Sequence, residues 1–288
     1  MLAYGNRKAV IVFIVEDVNK NQLEQRHIEH RLIEMSKQEA KVKRITLTGC
    51  NERLAIDKKT NILTIDNIEV AVVYYCSGNS PVHYKSDREW NVRLKIEKSK
   101  AIKCPWIGLQ LAGTRKMQQV LAKPGVLERF FPDDKEKVEA IRAVFVELWC
   151  LEQNGPTTTA VIAQASAHPS KYILKQLASG GSKWFHGSEI RKKASQLPVT
   201  EQSSFVLMER LQPMVNKNYF IRPFEPVQLS NCISELCVFG YLLGDGANKS
   251  VLRTHAGSGG HIVRTKSEHL SEEGTAIRGS CVDSPFLV

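Results

Sequence analysis

An unbroken apolar run near the start of the chain, Ala9–Val15, restricts the possible folds more than any other feature. Such a run is typical of a strand buried on both faces, as in a parallel sheet covered by helices. Apolar residues recur at helical spacing in Gln22–Lys37, and Val42–Leu47 is again typical of a strand. This β-α-β order predicts an α/β fold with a parallel sheet and a right-handed crossover.

Composition favours a globular protein without a membrane-spanning segment. The chain has 288 residues, 42% of them hydrophobic and 24% charged, which is enough for one large domain or two modest ones. The first apolar run ends at Glu16 and Asp17 without a small-residue cleavage site, so we interpret it as a strand and not a signal peptide. Seven scattered cysteines without a CxxC pair indicate reduced thiols and a cytoplasmic protein.

The net charge of +10 is spread along the chain, and Arg191–Lys193 is the only basic triplet. No RNP-like aromatic pattern or zinc finger accompanies this charge, so we do not expect a nucleic-acid-binding protein. Attraction to polyanionic small molecules, including nucleotides, accounts for the charge equally well.

Further elements follow the first β-α-β unit. We predict strands at Asn61–Ile65, Ile68–Tyr75, Phe205–Met208, Tyr219–Pro223 and Val227–Leu236, and helices at Asp87–Ala101, Thr114–Leu121 and Lys135–Cys150. Glycine, proline and three threonines make Leu151–Thr159 the expected linker. Ligands of an open parallel sheet bind beyond the carboxyl ends of its strands, so the turns after Val15 and Tyr75 are either substrate loops or ordinary connections.

The segment after Leu174 has half of the features of a phosphate site. Lys175 ends an apolar run, and Gly180 and Gly181 can bring backbone N–H groups close to an anion. A magnesium-dependent site also needs a carboxylate, and the residue before the glycines is Ser179. An ordinary surface turn remains the alternative for this segment.

Several motifs resemble the eukaryotic glutathione synthetases, in the order and spacing of that family. They are Ala101–Pro105, Leu111–Gln119, Leu207–Leu211, Cys232–Leu236 followed by Phe239-Gly240, Val263–Lys266 and Asp283–Val288. The resemblance implies an ATP-grasp fold with an attached α/β parallel-sheet substrate-binding domain. It places the substrate-binding domain at residues 1–113 and the ATP-grasp region at residues 114–288.

The resemblance also implies a reaction. ATP phosphorylates the cysteinyl carboxylate of γ-glutamylcysteine, and glycine displaces the phosphate to form glutathione. ATP and magnesium are the family's cofactors, its partners are these small molecules and not a membrane, and its members form homodimers.

Site residues are carried over only where this chain matches the family's positions. Arg264 matches the arginine that binds the substrate carboxylate. Those matched to ATP are Arg115, Lys175, Gly180, Gly181, the hinge residues Met208, Glu209, Arg210 and Leu211, and also Glu235 and Lys266. Those matched to substrate are Asn19, Lys20, Asn21, Gln25, Gly78, Thr275 and Ala276. Gln25 as a solvent-facing helix residue and Glu235 as a salt-bridge partner remain alternatives.

Other family positions are changed. Ser179 replaces the magnesium-binding glutamate, and Cys76–Asn79 replaces an Arg-Asp-Gly-Tyr loop that contacts the dipeptide, so both loop charges are lost. Met1 aligns well inside the family's sequence, and we expect the remaining magnesium ligands to be absent with the preceding segment. Because a metal neutralises charge on a transferring phosphoryl group, we expect impaired catalysis.

Three interpretations remain open: a ligase whose sequence is incomplete, a divergent member that binds nucleotide or thiol peptides or ligates another substrate, and a nucleic-acid-associated protein. Among smaller clusters, His27 and His30 have metal-ligand spacing but no nearby third ligand, so an exposed helix face is expected. Ser182, His186 and Glu189 contain the residue types of a hydrolytic triad, but we expect Glu189 to serve the start of a helix.

Overall fold

The computed structural model describes residues 3–18, 21–151, 156–168, 170–176, 184–221, 224, 226–255, 259–268 and 280–284. By packing, the chain divides into two compact units. The first comprises Met1–Gln153, Leu177–Gly180 and Val199–Val206, and the second comprises Asn154–Gln176, Gly181–Pro198 and Leu207–Val288. The domain boundary expected at residues 113 and 114 stays a prediction. Within the described ranges, no helix is both long and apolar enough to span a bilayer.

Helices and strands alternate in the first half of the chain, and strands dominate after Phe205. In chain order the elements are β1 Val10–Val15, α1 Gln22–Met35, β2 Val42–Thr46, α2 Leu47–Arg53, β3 Leu54–Ile56, β4 Leu63–Ile65, β5 Ile68–Tyr75, α3 Asp87–Lys98, β6 Ile102–Cys104, α4 Ile107–Ala112, α5 Arg115–Ala122, α6 Lys135–Ala143, β7 Leu148–Cys150, α7 Pro156–Ala167, β8 Tyr172–Gln176, β9 Trp184–Phe185, α8 Ser188–Gln196, α9 Val199–Gln202, β10 Phe205–Glu209, β11 Val215–Phe220, β12 Gln228–Val238, β13 Tyr241–Asp245, β14 Ser250–His255, β15 His261–Ser267 and β16 Ser280–Asp283. Short 3-10 turns occupy Pro81–His83 and Leu127–Arg129.

The first unit is built on a sheet with strand order β2-β1-β5-β4-β3, in which β6 also pairs with β5. Strand β1 runs parallel to β2 and β5, and β5 runs parallel to β6. The parallel β-α-β arrangement is therefore confirmed. Strands β3, β4 and β5 form an antiparallel extension, and left-handed backbone at Asp66 and Asn67 makes the tight turn between β4 and β5.

The sequence of β1 is apolar throughout because the strand contributes side chains to two cores. Val10, Val12 and Ile14 belong to one buried cluster together with Val92 and Ile96 of α3. The alternate residues of β1, Ile11 and Phe13, belong to a cluster on the other side that includes Leu32 of α1. Side chains alternate between the two faces of a strand, so a strand covered on both faces needs an apolar residue at every position.

Helix boundaries differ from the predicted ones where the backbone is left-handed or capped. The first helix ends at Met35 and not at Lys37, because Lys37 and Gln38 have φ values of 53° and 68°. The predicted helix Lys135–Cys150 was wrong in its second half, since α6 ends at Ala143 and Leu148–Cys150 is a strand. The apolar, aromatic residues of Leu148–Cys150 favour a strand over a helix.

The linker predicted at Leu151–Thr159 is also wrong from Pro156 onward, where α7 begins. Proline is tolerated in the first turn of a helix because its missing N–H has no intrahelical acceptor there. Residues 152–155 lie outside the described ranges.

The second unit contains an antiparallel sheet with strand order β11-β12-β15-β16 and a separate β13-β14 hairpin. Strands β8 and β9 form another antiparallel pair, in which Leu174 faces Phe185 and Lys175 faces Trp184. Two of the predicted strands, Tyr219–Pro223 and Val227–Leu236, pair here as β11 and β12 with shifted bounds. The strand predicted at Phe205–Met208 is β10, and the expectation that it shares a sheet with the other two is wrong, because β10 belongs to a different sheet.

Helix α3 begins with a reciprocal hydrogen-bond pair that ties it to its own first turn. The Ser86 hydroxyl accepts from the Arg88 N–H, and the Ser86 N–H donates to Glu89 Oε2 over 2.9 Å. The hydrogen bond from the Ser86 side chain is the main reason that the pKa of Glu89 lies below its usual range. A carboxyl group with a lowered pKa stabilises the folded state above its ordinary pKa, and this contribution is lost as the pH falls.

We expect Ser86→Ala to reduce the free energy of unfolding by about 1 kcal/mol at pH 7, because it removes the helix cap. The part of this difference that depends on the charge of Glu89 should be lost as the pH falls through its lowered pKa. Urea unfolding at pH 7 and in acid measures both effects. Ser86→Thr keeps the capping oxygen and is the control; equal losses in the two variants would contradict the capping role.

Candidate functional site

The two predicted substrate loops lie at the carboxyl edge of the parallel sheet in the first unit. Strands β1 and β5 are parallel neighbours, so the segments that follow Val15 and Tyr75 leave the sheet at the same edge. The two segments are also joined by backbone, because the N–H groups of Cys76 and Ser77 both donate to the Ile14 carbonyl. The two candidate loops therefore lie next to each other, and their role in binding substrate stays a prediction.

Gly78 is held on both sides of its backbone. Its φ of 99° is one that other residues rarely adopt, and a Cβ there would lie 3.3 Å from the Tyr84 hydroxyl. Its carbonyl accepts from Tyr84 Oη at 2.9 Å, Gln110 Nε2 at 3.3 Å and Arg93 Nη1 at 3.4 Å. Its N–H donates to His83 Nδ1 at 3.0 Å. The turn therefore keeps a defined backbone although its charged family side chains are absent.

Arg93 is the most deeply buried member of this cluster, with 3% of its surface exposed. Its Nε donates to Glu97 at 2.8 Å, and its guanidinium carbon lies 4.0 Å from the centre of the Tyr75 ring. An ion pair and a cation-π contact together compensate the burial of this charge. Sequence reasoning missed Arg93, since nothing in the local pattern of α3 distinguishes it from a solvent-facing arginine.

Gln25 is buried and hydrogen-bonded, so the alternative of a solvent-facing helix residue is wrong. Arg44 Nη2 on β2 donates to Gln25 Oε1 at 2.5 Å, and Arg44 Nη1 lies 3.5 Å from Glu29 Oε2. Asn21 immediately precedes α1, and its carbonyl accepts from the Gln25 N–H. Arg44 was not among the predicted residues. It fixes the orientation of the Gln25 amide and adds a positive charge near the predicted substrate contacts.

Cys76 stands where the resemblance implies an arginine. It is half-buried, and this burial raises the pKa of its thiol to about 11, although the Arg44 charge acts in the opposite direction. Ser77 is buried and Asn79 is exposed. The loop Cys76–Asn79 thus presents neutral groups where the family has charged ones.

In the second unit, Glu235 joins the two cations predicted for substrate and ATP. Glu235 on β12 pairs directly with Arg264 on β15, and Lys266 lies two residues further on the same face. Arg264 donates to Glu235 Oε2 through Nε at 3.1 Å and also through Nη2, and Lys266 Nζ lies 3.3 Å from Glu235 Oε1. These bonds lower the pKa of Glu235, and the bond from Arg264 has the largest effect. One carboxylate therefore bridges the arginine and the lysine.

Lys175 lies on the hairpin of β8 and β9. It faces Trp184 across the strands, with Nζ 5.4 Å from the ring centre, and Trp184 lies 4.8 Å from the His186 ring. Both faces of β8 carry a buried residue, because Leu174 is fully buried on one face and Ile173, on the same face as Lys175, is 3% exposed. Lys175 itself is partly buried.

The remaining predicted residues are placed as follows. Met208 and Glu209 end β10, Arg210 donates its N–H to the Lys171 carbonyl at 2.7 Å, and Leu211 is exposed. Arg115 is the first residue of α5, after the capping residue Thr114. The predicted residues outside the described ranges are Asn19, Lys20, Ser179, Gly180, Gly181, Thr275 and Ala276. The ligand-binding roles of all these residues stay predictions.

No metal-binding cluster of three or more His, Cys, Asp or Glu side chains occurs among the described residues. His27 and His30 lie on the exposed face of α1, as expected for a helix face.

Comparison with known proteins gives a consistent match over the whole chain. A family model described as "Eukaryotic glutathione synthase, ATP binding domain" matches residues 7–287. Glutathione synthetases of Mus musculus and Homo sapiens are 36% and 35% identical to it over 286 residues, covering 99% of this chain and 58% of each relative. The chain thus spans little more than half the length of these relatives.

A solved structure leads to the same result. A glutathione synthetase-like effector from Globodera pallida, in its apo form, matches with a TM-score of 0.74 and 31% identity, covering 100% of this chain and 58% of that one. The family match and the observed mixed sheets confirm the expected fold class, an ATP-grasp fold with an attached α/β parallel-sheet domain.

We expect Cys76 to react with iodoacetamide at pH 8 about 100-fold more slowly than an unhindered cysteine. Its pKa of about 11 lies two units above the ordinary value of 9.0, and the thiolate is the reacting form. Peptide mass spectrometry after timed labelling measures the rate at Cys76, and the same chain unfolded in urea is the control. Labelling at the same rate in folded and unfolded protein would contradict the assigned burial.

Proposed function

Because the chain belongs to the eukaryotic glutathione synthetase family, we propose that it binds ATP and ligates γ-glutamylcysteine and glycine at a reduced rate. The observation that carries this proposal is the arrangement of Arg264, Lys266 and Glu235, three family-matched residues joined on one face of a sheet. An arginine beside a lysine suits two neighbouring anions, a carboxylate and a phosphate.

Lys175 and Lys266 neutralise ATP phosphates in this proposal, together with Arg115. Lys175 supports the role through its position near the end of β8, where its Nζ lies 5.4 Å from the centre of the Trp184 ring. The backbone of Met208–Leu211 binds the adenine by hydrogen bonds. Strand β10 ends within this segment, so some of its N–H and carbonyl groups are not used in pairing with neighbouring strands.

Magnesium in this family neutralises charge on the transferred phosphoryl group. The residue at the implied ligand position is Ser179, and a neutral hydroxyl is a weaker ligand for this ion than a carboxylate. The residues of this chain therefore fit ATP better than they fit the metal. We assign most of the phosphate neutralisation to protein cations and expect slow turnover as the consequence.

The reaction proceeds in two steps. A carboxylate oxygen of the dipeptide attacks the terminal phosphorus of ATP, and ADP leaves. The amine of glycine then attacks the acyl phosphate, a C–N bond forms, the C–O bond to phosphate breaks and the amine loses a proton. Arg264 holds the dipeptide's carboxylate with a bidentate donor pair, which reduces the freedom of the reacting group.

A second candidate function follows from the loop Cys76–Asn79. This loop is neutral, although it lies at the sheet edge where the family contacts the dipeptide with charged groups. A divergent protein that binds nucleotide and a thiol peptide, or that ligates a different substrate, would accommodate the change.

We further propose a cytoplasmic location and a homodimer, on the basis of family membership alone.

We expect Lys175→Ala and Lys266→Ala each to weaken ATP binding by roughly tenfold or more, because each removes a charge-assisted hydrogen bond to phosphate. Isothermal titration with ATP, with and without magnesium, measures the change. Lys192→Ala removes an exposed lysine of α8 and is the matched control. Absence of both heat and thermal stabilisation in either condition would contradict the proposed ATP site.

We expect slow ADP release that depends on both γ-glutamylcysteine and glycine, and a further loss of at least tenfold in Arg264→Ala. A coupled ADP assay with glutathione detected by mass spectrometry measures both. ATP binding without any product would favour the second candidate function over the ligase.

A further inference from the structure

One histidine contacts both substrate loops of the first unit. His83 ends the short turn Pro81–His83 and accepts the Gly78 N–H on Nδ1 at 3.0 Å. The other ring nitrogen, Nε2, lies 3.2 Å from Glu16 Oε1 in the segment after β1. A single imidazole therefore connects the turn after β5 to the loop that leads toward Asn21 and Gln25.

These contacts determine the protonation state of the ring. Because Gly78 donates to Nδ1, this nitrogen carries no proton and Nε2–H donates to the Glu16 carboxylate. The neutral imidazole satisfies both loops at once. A proton on Nδ1 would place its N–H opposite the Gly78 N–H, and two donors cannot bond to each other. The bond to Gly78 would then be lost, while the contact with Glu16 would become an ion pair.

The other ionisable groups of this network act on neighbouring contacts. Lys85 Nζ lies 3.4 Å from Asp17 Oδ2, which gives the two loops a second and more exposed connection. Tyr84 and Arg93 donate to the Gly78 carbonyl, and neither reaches its N–H. His83 thus holds the amide side of the turn, and its loss leaves the carbonyl side anchored.

We propose that His83 is a positioning residue for the dipeptide. It fixes the spacing between the Gly78 turn and the segment after β1 that carries Glu16, and loss of this connection weakens dipeptide binding. The dipeptide contacts are those that the family resemblance implies, Asn21, Gln25 and Gly78, and the inference rests on the proposed function. Lys175, Lys266 and Met208–Leu211, which the proposed function assigns to ATP, belong to the second unit, so we expect ATP binding to be independent of His83.

The first experiment needs no substrate. Hydrogen exchange of the Gly78 amide is followed by NMR in the full chain at pH 8, corrected for intrinsic exchange. We expect protection that falls at least fivefold in His83→Ala. His83→Asn places an acceptor near the Nδ1 position and should keep the protection. Unchanged protection in His83→Ala would overturn the proposal.

The second experiment measures γ-glutamylcysteine and ATP binding by calorimetry at pH 8. We expect the dipeptide Kd to rise about fivefold in His83→Ala, a change equivalent to about 1 kcal/mol. His83→Asn should restore the affinity for the dipeptide, and the ATP Kd should be the same in all three proteins. A general loss of folding would weaken the binding of both the dipeptide and ATP.

The outcomes separate the two proposals. If the Gly78 amide behaves as expected but no form of the chain binds the dipeptide, the proposed substrate is wrong and the histidine connection stands. If the dipeptide binds with an affinity that does not change with the substitutions at His83, the positioning role is overturned.

Discussion

The burial of β1 on both faces is the constraint on which the first unit depends. Because β1 is an interior strand with a parallel neighbour on each side, the chain must cross over through α1 to form β2, and later return to form β5. The loops after β1 and β5 then emerge together. The contact of Gln25 with Arg44 and that of His83 with Glu16 require this strand order, because each joins residues that are far apart in sequence.

Polar groups at this sheet edge are held by one another more than by water. Arg93 combines an ion pair, two hydrogen bonds and a ring contact with almost no exposed surface. Among the described atoms its Nη2 has no acceptor, and neither does the buried Tyr75 hydroxyl. Buried networks of this kind restrict the backbone to one arrangement, since each alternative leaves a charge without compensation. This rigidity explains how the turn at Gly78 keeps its conformation after its charged side chains are replaced.

Much of the fold could be predicted because its signals are local. The double-sided burial of β1, the spacing of α1 and the Asp66-Asn67 turn all depend on residues close together in sequence. The strand at Leu148–Cys150 and the helix that begins at Pro156 could not, since short segments take the structure that their packing favours.

The residues of the candidate site also divide into those that could be predicted from the sequence and those that could not. Family motifs identified Gln25, Gly78, Glu235, Arg264 and Lys266 as candidates, and the structure joins the last three directly. Arg44, His83 and Arg93 were missed because each acts through a partner from another element. Arg44 and Arg93 have the local sequence of ordinary charged surface residues and reach the loops only through the packing of their elements. His83 lies in the loop after β5, but its contact with Glu16 depends on the strand order.

The carboxylate shared by Arg264 and Lys266 changes what an incoming anion meets. Glu235 is already a counter-ion between these cations, so an anion that binds there, as the proposed function requires, exchanges with Glu235 instead of meeting uncompensated charge. The affinity for such an anion is therefore a difference between two ion pairs, one external and one internal. A ligand that engages only one of the cations leaves Glu235 to the other, so filling either position alters the electrostatic environment of its neighbour.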